Sequence, residues 1–278
     1  MKCEILHLKD FFPVLGENGC DATVTAYVLD DIVESNRSIR KRPSLLVCPG
    51  GAYVGCSPRE AEPVAVHFLE ENFNVFTLHY STIPHHFPIQ IQEVAASIEL
   101  IHKNERWNCD PQKTVIMGLS AGGHLAAYYA NAYDCLEVRA VIPNSRPVQA
   151  AVLCYPVITA DPKWGHLGSF DALTGTSERT TEENQKLSCE LLVDEHTPPT
   201  FLWHTAADGC VPVINSLLYA QKLAQYAVPF ELHVYPSGEH GLSTCDEMAL
   251  GTVSAAADYD RSWLECAKKW LRHILRGC

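Results

Sequence analysis

Residues 114–127 read TVIMGLSAGGHLAA, and this stretch decides the fold. Its first four residues are mostly apolar and β-branched, as in a strand covered on both faces, and residues 121–130 have a helix-forming composition. Between them, Gly118 and Gly122 leave room for a strand and a helix to approach each other closely around Ser120. The stretch therefore predicts a sharp strand–turn–helix connection with Ser120 at its apex.

Apolar runs and helical patterns alternate on both sides of this connection, which is typical of a parallel sheet with helices on both faces. The predicted strands are residues 22–29 (an early edge strand), 44–48, 74–80, 114–117, 150–155, 200–205 and 230–235, and the predicted helices are residues 59–71, 88–107, 121–130, 212–226 and 255–275. The sequence thus predicts an α/β fold with a mostly parallel central sheet, in one domain over residues 1–278.

Residues 156–199 differ in composition from their surroundings. They are rich in proline, threonine, glycine and acidic residues, with one predicted helix near residues 182–194. A segment of this length between two strands is typical of a lid or a substrate-selecting element. We expect a short lid-like insertion here, with Trp164 and Phe170 as candidate substrate contacts.

Charge and composition disfavour several classes of partner. The net charge is -12, and the basic residues are scattered rather than clustered, so binding to nucleic acid is not expected. No apolar run is long enough to span a membrane, and residues 1–12 lack the apolar core of a signal peptide. The twelve cysteines form no CxxC pairs and several lie in apolar runs, which favours free thiols in a cytoplasmic protein. The sequence leaves homo-oligomerisation open.

A serine at such a turn is a candidate nucleophile, but it needs a base to accept its proton. Among thirteen histidines, His240 follows a predicted strand in the segment SGEHG, at the edge where open α/β sheets bind ligands. His204 lies inside a predicted strand, and His124 lies four residues after Ser120, so packing is the simpler interpretation of both. We expect His240 to be the general base.

A carboxylate is needed to orient this histidine. Asp208 lies just past the end of a predicted strand, and the chain order serine, aspartate, histidine is the one typical of α/β hydrolases. A helix cap before Pro212 is the structural alternative for Asp208, and Asp194 and Glu239 are weaker candidates for the acid.

An acyl-transfer reaction also needs donors for the negative charge that develops on the carbonyl oxygen. The backbone N–H of Ala121 is one candidate, since it follows the nucleophile. The segment CPGGAY follows the strand SLLVC and offers the N–H groups of Gly51 and Ala52, with Tyr53 as a further candidate substrate contact. No metal or other cofactor is expected, because His85, His86 and Asp161 show no paired ligand spacing.

With these residues identified, the sequence resembles the carbohydrate-esterase branch of the α/β hydrolases, the acetyl-xylan-esterase-like and feruloyl-esterase-like enzymes. Four segments carry the resemblance: CPGGAYVGCSPREAEPVA (48–65), CDPQKTVIMGLSAGGHLAA (109–127), TPPTFLWHTAADGCVPVINSLLYAQKL (197–223) and VPFELHVYPSGEHGLS (228–243). The resemblance implies a metal-free serine esterase that removes acetyl or similar small acyl groups from acylated sugars such as xylo-oligosaccharides.

Two features depart from the related lipase pattern and from secreted enzymes. Pro49 and Ala52 replace the histidine and third glycine of an HGGG loop, which disfavours the hormone-sensitive-lipase branch, and a cytoplasmic enzyme would meet imported oligosaccharides rather than polymeric xylan. Fold and triad do not select the acyl group. A general short-chain carboxylesterase or a formamidase-like hydrolase of small amides stays open, as does a non-catalytic interaction protein with the same fold.

Overall fold

The computed structural model describes residues 1–31 and 41–276. Its strands are β1 Lys2–His7, β2 Thr23–Val28, β3 Arg42–Cys48, β4 Asn74–His79, β5 Cys109–Leu119, β6 Ala150–Cys154, β7 Thr200–Thr205 and β8 Phe230–Tyr235. Its α-helices are α1 Leu8–Phe11, α2 Pro13–Glu17, α3 Glu62–Leu69, α4 Ile89–Lys103, α5 Ala121–Ala132, α6 Leu136–Arg139, α7 Leu167–Thr174, α8 Thr181–Leu187, α9 Ile214–Gln225, α10 Glu247–Leu250, α11 Ala255–Asp260 and α12 Ser262–Ile274.

All eight strands form one sheet in the order β1-β2-β4-β3-β5-β6-β7-β8. Strands β3 to β8 run parallel, while β2 pairs antiparallel with both β1 and β4. This arrangement confirms the predicted α/β class and places the carboxyl ends of the parallel strands at one edge, where Ser120, Asp208 and His240 follow β5, β7 and β8.

The sheet is buried on both faces, as its continuous apolar strands require. Every residue of β6 and β7 is buried. On one face of the sheet, α4 and α5 pack over Leu46, Ile116 and Leu153. On the other face, α3 and α12 pack over the adjacent strand residues, whose side chains point the opposite way. Helix α12 shows the expected spacing: its buried residues are Trp263, Leu264, Ala267, Lys268, Trp270 and Leu271.

Two predictions about the elements were wrong. Residues 22–29 form no edge strand, because β1 covers β2 on its outer side. Strand β1 was not predicted from the sequence. None of its residues is buried, and it alternates only between exposed and partly exposed positions. The helix predicted over residues 255–275 is two helices, α11 and α12, which meet at Arg261.

Residues 156–199 connect β6 to β7, and they contain more structure than expected. Helices α7 and α8 are followed by a short 3₁₀ turn over Cys189–Leu191, in place of one helix near residues 182–194. Helix α8 starts with a capping box between Thr180 and Glu183, a signal that the sequence contains. Elsewhere, no helix within the described ranges is long and apolar enough to cross a membrane.

The contact between α5 and β3 generates the first prediction. A Cβ atom on Gly122 would lie 2.0 Å from the carbonyl oxygen of Cys48, which is backbone and cannot move aside alone. Gly122→Ala should therefore lower the free energy of unfolding by at least about 3 kcal/mol, because overpacking at a rigid contact is costly. Chemical denaturation is the measurement. Gly209→Ala is the matched control, since no atom lies within 4 Å of its added Cβ; equal losses in both variants would contradict the steric explanation.

Candidate active site

The turn between β5 and α5 presents Ser120 in a strained conformation. Its backbone angles are φ 53° and ψ -121°, which a residue with a side chain rarely adopts. The Ser120 N–H donates to the carbonyl of Cys154 at 3.0 Å, and the Ser120 carbonyl accepts from Val157 at the same distance. These bonds to the end of β6 hold the turn in place, as expected for a nucleophile elbow.

The three residues predicted as a triad form one continuous hydrogen-bonded relay. Ser120 Oγ lies 2.8 Å from His240 Nε2, and His240 Nδ1 lies 2.6 Å from Asp208 Oδ2. Because an ionised carboxylate only accepts, Nδ1 of His240 carries the proton and Nε2 is left to accept from the serine. This tautomer is the one that can remove the serine proton.

Asp208 is completely buried as a side chain and holds several further contacts. Its Oδ1 accepts from the N–H groups of Cys210 and Val211 at 2.9 and 2.8 Å, and its Oδ2 lies 3.2 Å from His204 Nε2. Burial alone would raise the pKa of Asp208, but the contacts from His204 and His240 prevail and hold that pKa well below its usual range. The carboxyl group therefore stays ionised when His240 gains a proton.

His204 is a buried strand histidine, as interpreted from the sequence, yet it also borders the site. Its Nε2 donates to the carbonyl of Val211 at 2.9 Å, and its Nδ1 accepts from Ser216 Oγ at 2.8 Å. Both ring nitrogens are thus satisfied, and the ring contacts the same oxygen of Asp208 that binds His240.

The segment after β3 passes directly over the nucleophile. A Cβ atom on Gly50 would lie 2.7 Å from Ser120 Cβ, and Gly51 and Ala52 follow with φ of 131° and 53°. Within the described residues, no protein acceptor binds the N–H groups of Gly51, Ala52 or Ala121. These three groups thus differ from the N–H of Gly50, which is already bound to Glu60.

The three predicted substrate contacts lie in different environments. Tyr53 is 1% exposed, and its hydroxyl donates to His124 Nδ1 at 2.8 Å. Phe170 is 0% exposed, with its ring centroid 5.0 Å from that of His124. Both side chains pack around His124 and do not face solvent, so the structure does not place them where a sugar could stack. Trp164 is 37% exposed, with the Lys163 ammonium 4.6 Å from its ring centroid.

His124 lies in α5 and connects the loop that contains Tyr53 to the insertion over residues 156–199. Its Nε2 donates to the carbonyl of Leu187 at 2.8 Å, and burial lowers its pKa to about 4. The ring is neutral near pH 7 and serves packing, as the sequence suggested.

Sequence reasoning missed three residues near the relay. Tyr155 packs the edge of its ring against His240, with centroids 5.1 Å apart, and Glu60 accepts a hydrogen bond from Tyr155. His166 lies close enough to the relay that the charge of His240 lowers its pKa further, after burial. The position of Tyr155 directly after β6, at the sheet edge, was a usable signal; nothing in the sequence distinguished Glu60 or His166.

Neither cysteine near the site has the lowered pKa of an activated thiol. Burial raises the pKa of Cys56 to about 12, and burial also raises the pKa of Cys210. In the part of the chain that the structure describes, no three histidine, cysteine or acidic side chains are grouped to bind a metal ion.

Comparison with known proteins assigns the class. The family model BD-FAE matches residues 30–223. Endo-1,4-beta-xylanase B of Butyrivibrio fibrisolvens is 36% identical over 74% of this chain and 33% of its own length. Among solved structures, an acetyl ester-xyloside bifunctional hydrolase from Caldicellulosiruptor lactoaceticus is 32% identical with TM-score 0.81, covering 98% of this chain and 96% of that one. A carboxylesterase from Lactobacillus plantarum is 27% identical with TM-score 0.82, covering 98% of both chains.

The fold and these neighbours define an α/β hydrolase. The chain belongs to the BD-FAE family, since the family model covers more than half of its length. The chain spans only about a third of the length of the curated relatives it matches.

The contacts of Asp208 generate the second prediction. Its folded pKa lies below the unfolded value near 4, so its ionised contacts stabilise the fold above about pH 4 and this contribution is lost as the pH falls further. Asp208→Asn should lower the free energy of unfolding by about 1 to 3 kcal/mol at pH 7, with the difference from wild type shrinking between about pH 4 and 2. Urea denaturation across this pH range measures it. The control is Asp258→Asn, which changes an exposed carboxylate. If the difference in unfolding free energy between Asp208→Asn and wild type grew as the pH fell, the stabilising role of the ionised Asp208 would be contradicted.

Proposed function

We propose that this protein is a serine esterase that removes acetyl or similar small acyl groups from acylated sugars such as xylo-oligosaccharides. The observation that carries the proposal is the relay from Asp208 through His240 to Ser120. It is supported by the N–H groups of Gly51, Ala52 and Ala121, which bind no acceptor among the residues that the structure describes. The substrate class is supported by the acetyl ester-xyloside hydrolase among the structural neighbours.

The reaction proceeds through an acyl-enzyme. His240 Nε2 accepts the Ser120 proton as Oγ attacks the ester carbonyl carbon, and the carbonyl oxygen becomes an anion held by the N–H groups of Gly51, Ala52 and Ala121. Collapse of this tetrahedral species breaks the bond to the sugar oxygen, which takes the proton from His240. The products of this half-reaction are the free sugar hydroxyl and an acylated Ser120.

Water completes the cycle by the same groups. His240 accepts a proton from a water molecule whose oxygen attacks the acyl carbon, and the second tetrahedral species expels Ser120 Oγ. The serine regains a proton from His240, and the carboxylic acid leaves. Asp208 stabilises the imidazolium in both halves because its low pKa keeps it ionised.

A general short-chain carboxylesterase is the second candidate, favoured by the carboxylesterase from Lactobacillus plantarum among the neighbours. Both candidates use the same relay and differ only in the alcohol side of the substrate. Comparing kcat/KM for acetylated xylobiose and for nitrophenyl acetate separates them.

A cytoplasmic enzyme acting on imported oligosaccharides is the setting we favour. All eleven cysteines in the described ranges are free thiols, and six of them are buried. Free thiols fit a reducing compartment.

Replacing the nucleophile gives the third prediction. Ser120→Ala should keep the fold and lower kcat by up to about a millionfold, because the remaining relay has no atom to acylate. Turnover of nitrophenyl acetate and covalent labelling by a fluorophosphonate probe are the measurements. Asp208→Asn should lose less, since the nucleophile remains. A folded Ser120→Ala variant with wild-type turnover would refute the nucleophile assignment.

Acyl-chain length gives the fourth prediction. Most apolar residues of the insertion are buried, among them Val157, Ile158 and Leu173, and only a few such as Leu167 and Leu191 are exposed, so the insertion offers little apolar surface to a fatty chain. Butyryl esters should therefore show a kcat/KM roughly tenfold or more below acetyl esters. A wild type that favours octanoyl over acetyl esters would contradict this proposal.

The same substrates test Trp164 as a sugar contact. Trp164→Ala should lower kcat/KM for acetylated xylobiose selectively, by about tenfold, while nitrophenyl acetate is nearly unchanged. Leu191→Ala is a matched control, because Leu191 is 51% exposed in the same insertion. Equal losses on both substrates would mean that Trp164 only packs the insertion.

A further inference from the structure

Glu60 is a buried carboxylate with no assigned role. It ends the 3₁₀ turn Pro58–Glu60 and is 3% exposed. In the described part of the chain no lysine or arginine forms an ion pair with it. A buried carboxyl group costs free energy unless its oxygens are hydrogen-bonded, so its contacts explain why it is tolerated.

Its two oxygens bind two different segments of the active site. Oε2 accepts the N–H of Gly50 at 2.7 Å, and Oε1 accepts the hydroxyl of Tyr155 at 2.8 Å. Burial raises the pKa of Glu60, while the hydrogen bonds from Tyr155 and Gly50 oppose that rise. Both partners donate, which is the pattern that an ionised carboxylate requires.

Tyr155 extends the connection to the loop after β8 that carries His240 and Ser243, called the histidine loop below. Its hydroxyl oxygen accepts the N–H of Ser243 at 2.9 Å, three residues after His240, and its ring packs against the His240 ring. Ser243 Oγ in turn donates to the carbonyl of Arg59 at 2.6 Å, next to Glu60. These contacts close a ring through Glu60, Tyr155, Ser243 and Arg59. The loop over residues 50–52, called the oxyanion loop below, is attached to this ring by the hydrogen bond from Gly50 to Glu60.

The backbone at these points is strained, and strain of this kind persists only where surrounding contacts fix it. Tyr155 and Ser243 have positive φ of 36° and 52°, as does Ala52 in the oxyanion loop at 53°. Holding the Gly50 N–H fixes the peptide that leads directly into Gly51 and Ala52. The donors of these two residues and the ring of His240 therefore depend on one carboxylate.

We propose that Glu60 is a positioning residue that fixes the positions of the oxyanion loop and the histidine loop relative to Ser120. This inference rests on the proposed esterase function, because these positions matter only if Ser120 is acylated. A misplacement of about 1 Å at such donors costs about a hundredfold in rate.

The test compares Glu60→Gln with Tyr155→Phe and with the control Glu62→Gln, whose side chain is exposed at the start of α3. The glutamine keeps one acceptor oxygen but cannot accept from both Gly50 and Tyr155. We expect kcat for nitrophenyl acetate to fall about 10- to 100-fold in Glu60→Gln and in Tyr155→Phe, with KM changed less than about threefold. The double variant should lose less than the product of the two single losses, because both changes break the same ring.

Labelling by a fluorophosphonate, measured as a rate on folded protein, gives a readout that does not depend on the natural ester. It should slow in parallel with kcat in both single variants and stay unchanged in Glu62→Gln. Thermal melts establish the folded fraction, and Tyr155→Phe decides the question should Glu60→Gln fail to fold.

The outcomes are distinguishable. Wild-type protein that neither labels nor hydrolyses esters would contradict the proposed function itself. Wild type that labels, with Glu60→Gln and Tyr155→Phe labelling at the same rate, would overturn the positioning role. Variants that melt earlier but keep wild-type kcat and labelling rate per folded molecule would also overturn it, since Glu60 would then only stabilise the fold.

Discussion

The active site depends on the close backbone contact between α5 and the end of β3. Gly122 meets the Cys48 carbonyl where no side chain fits, and this contact sets how near the first turn of α5 lies to the loop after β3. Ser120 occupies the tightest point of the turn and accepts an unfavourable φ to do so. The strain is offset by the buried sheet on either side, whose strands leave β5 no alternative position.

Much of this could be predicted from sequence because it follows from local rules. The apolar runs gave seven of the strands, and the positions of Asp208 and His240 just after strands brought them to the edge that parallel strands share. The relay distances then follow from the sheet, since β5, β7 and β8 present these residues on the same side.

What could not be predicted involves side-chain burial between distant segments. Tyr53 and Phe170 were sensible substrate contacts as aromatic residues in a loop and an insertion, but His124 offers a buried hydrogen bond to one and a ring face to the other. No sequence pattern specifies that the insertion folds its aromatic residue inward. Glu60 escaped for the same reason, since its partners Gly50, Tyr155 and Ser243 are brought together only by the fold.

Two buried carboxylates near His240, those of Asp208 and Glu60, differ in the groups that bind them. Asp208 has two histidines and two backbone donors, so its pKa is depressed despite burial. Glu60 has only neutral donors, so burial raises its pKa. The group that must remain charged while His240 holds the serine proton is thus the one with the stronger contacts. The other carboxylate binds the N–H of Gly50, whereas the N–H groups of Gly51, Ala52 and Ala121 have no acceptor among the described residues.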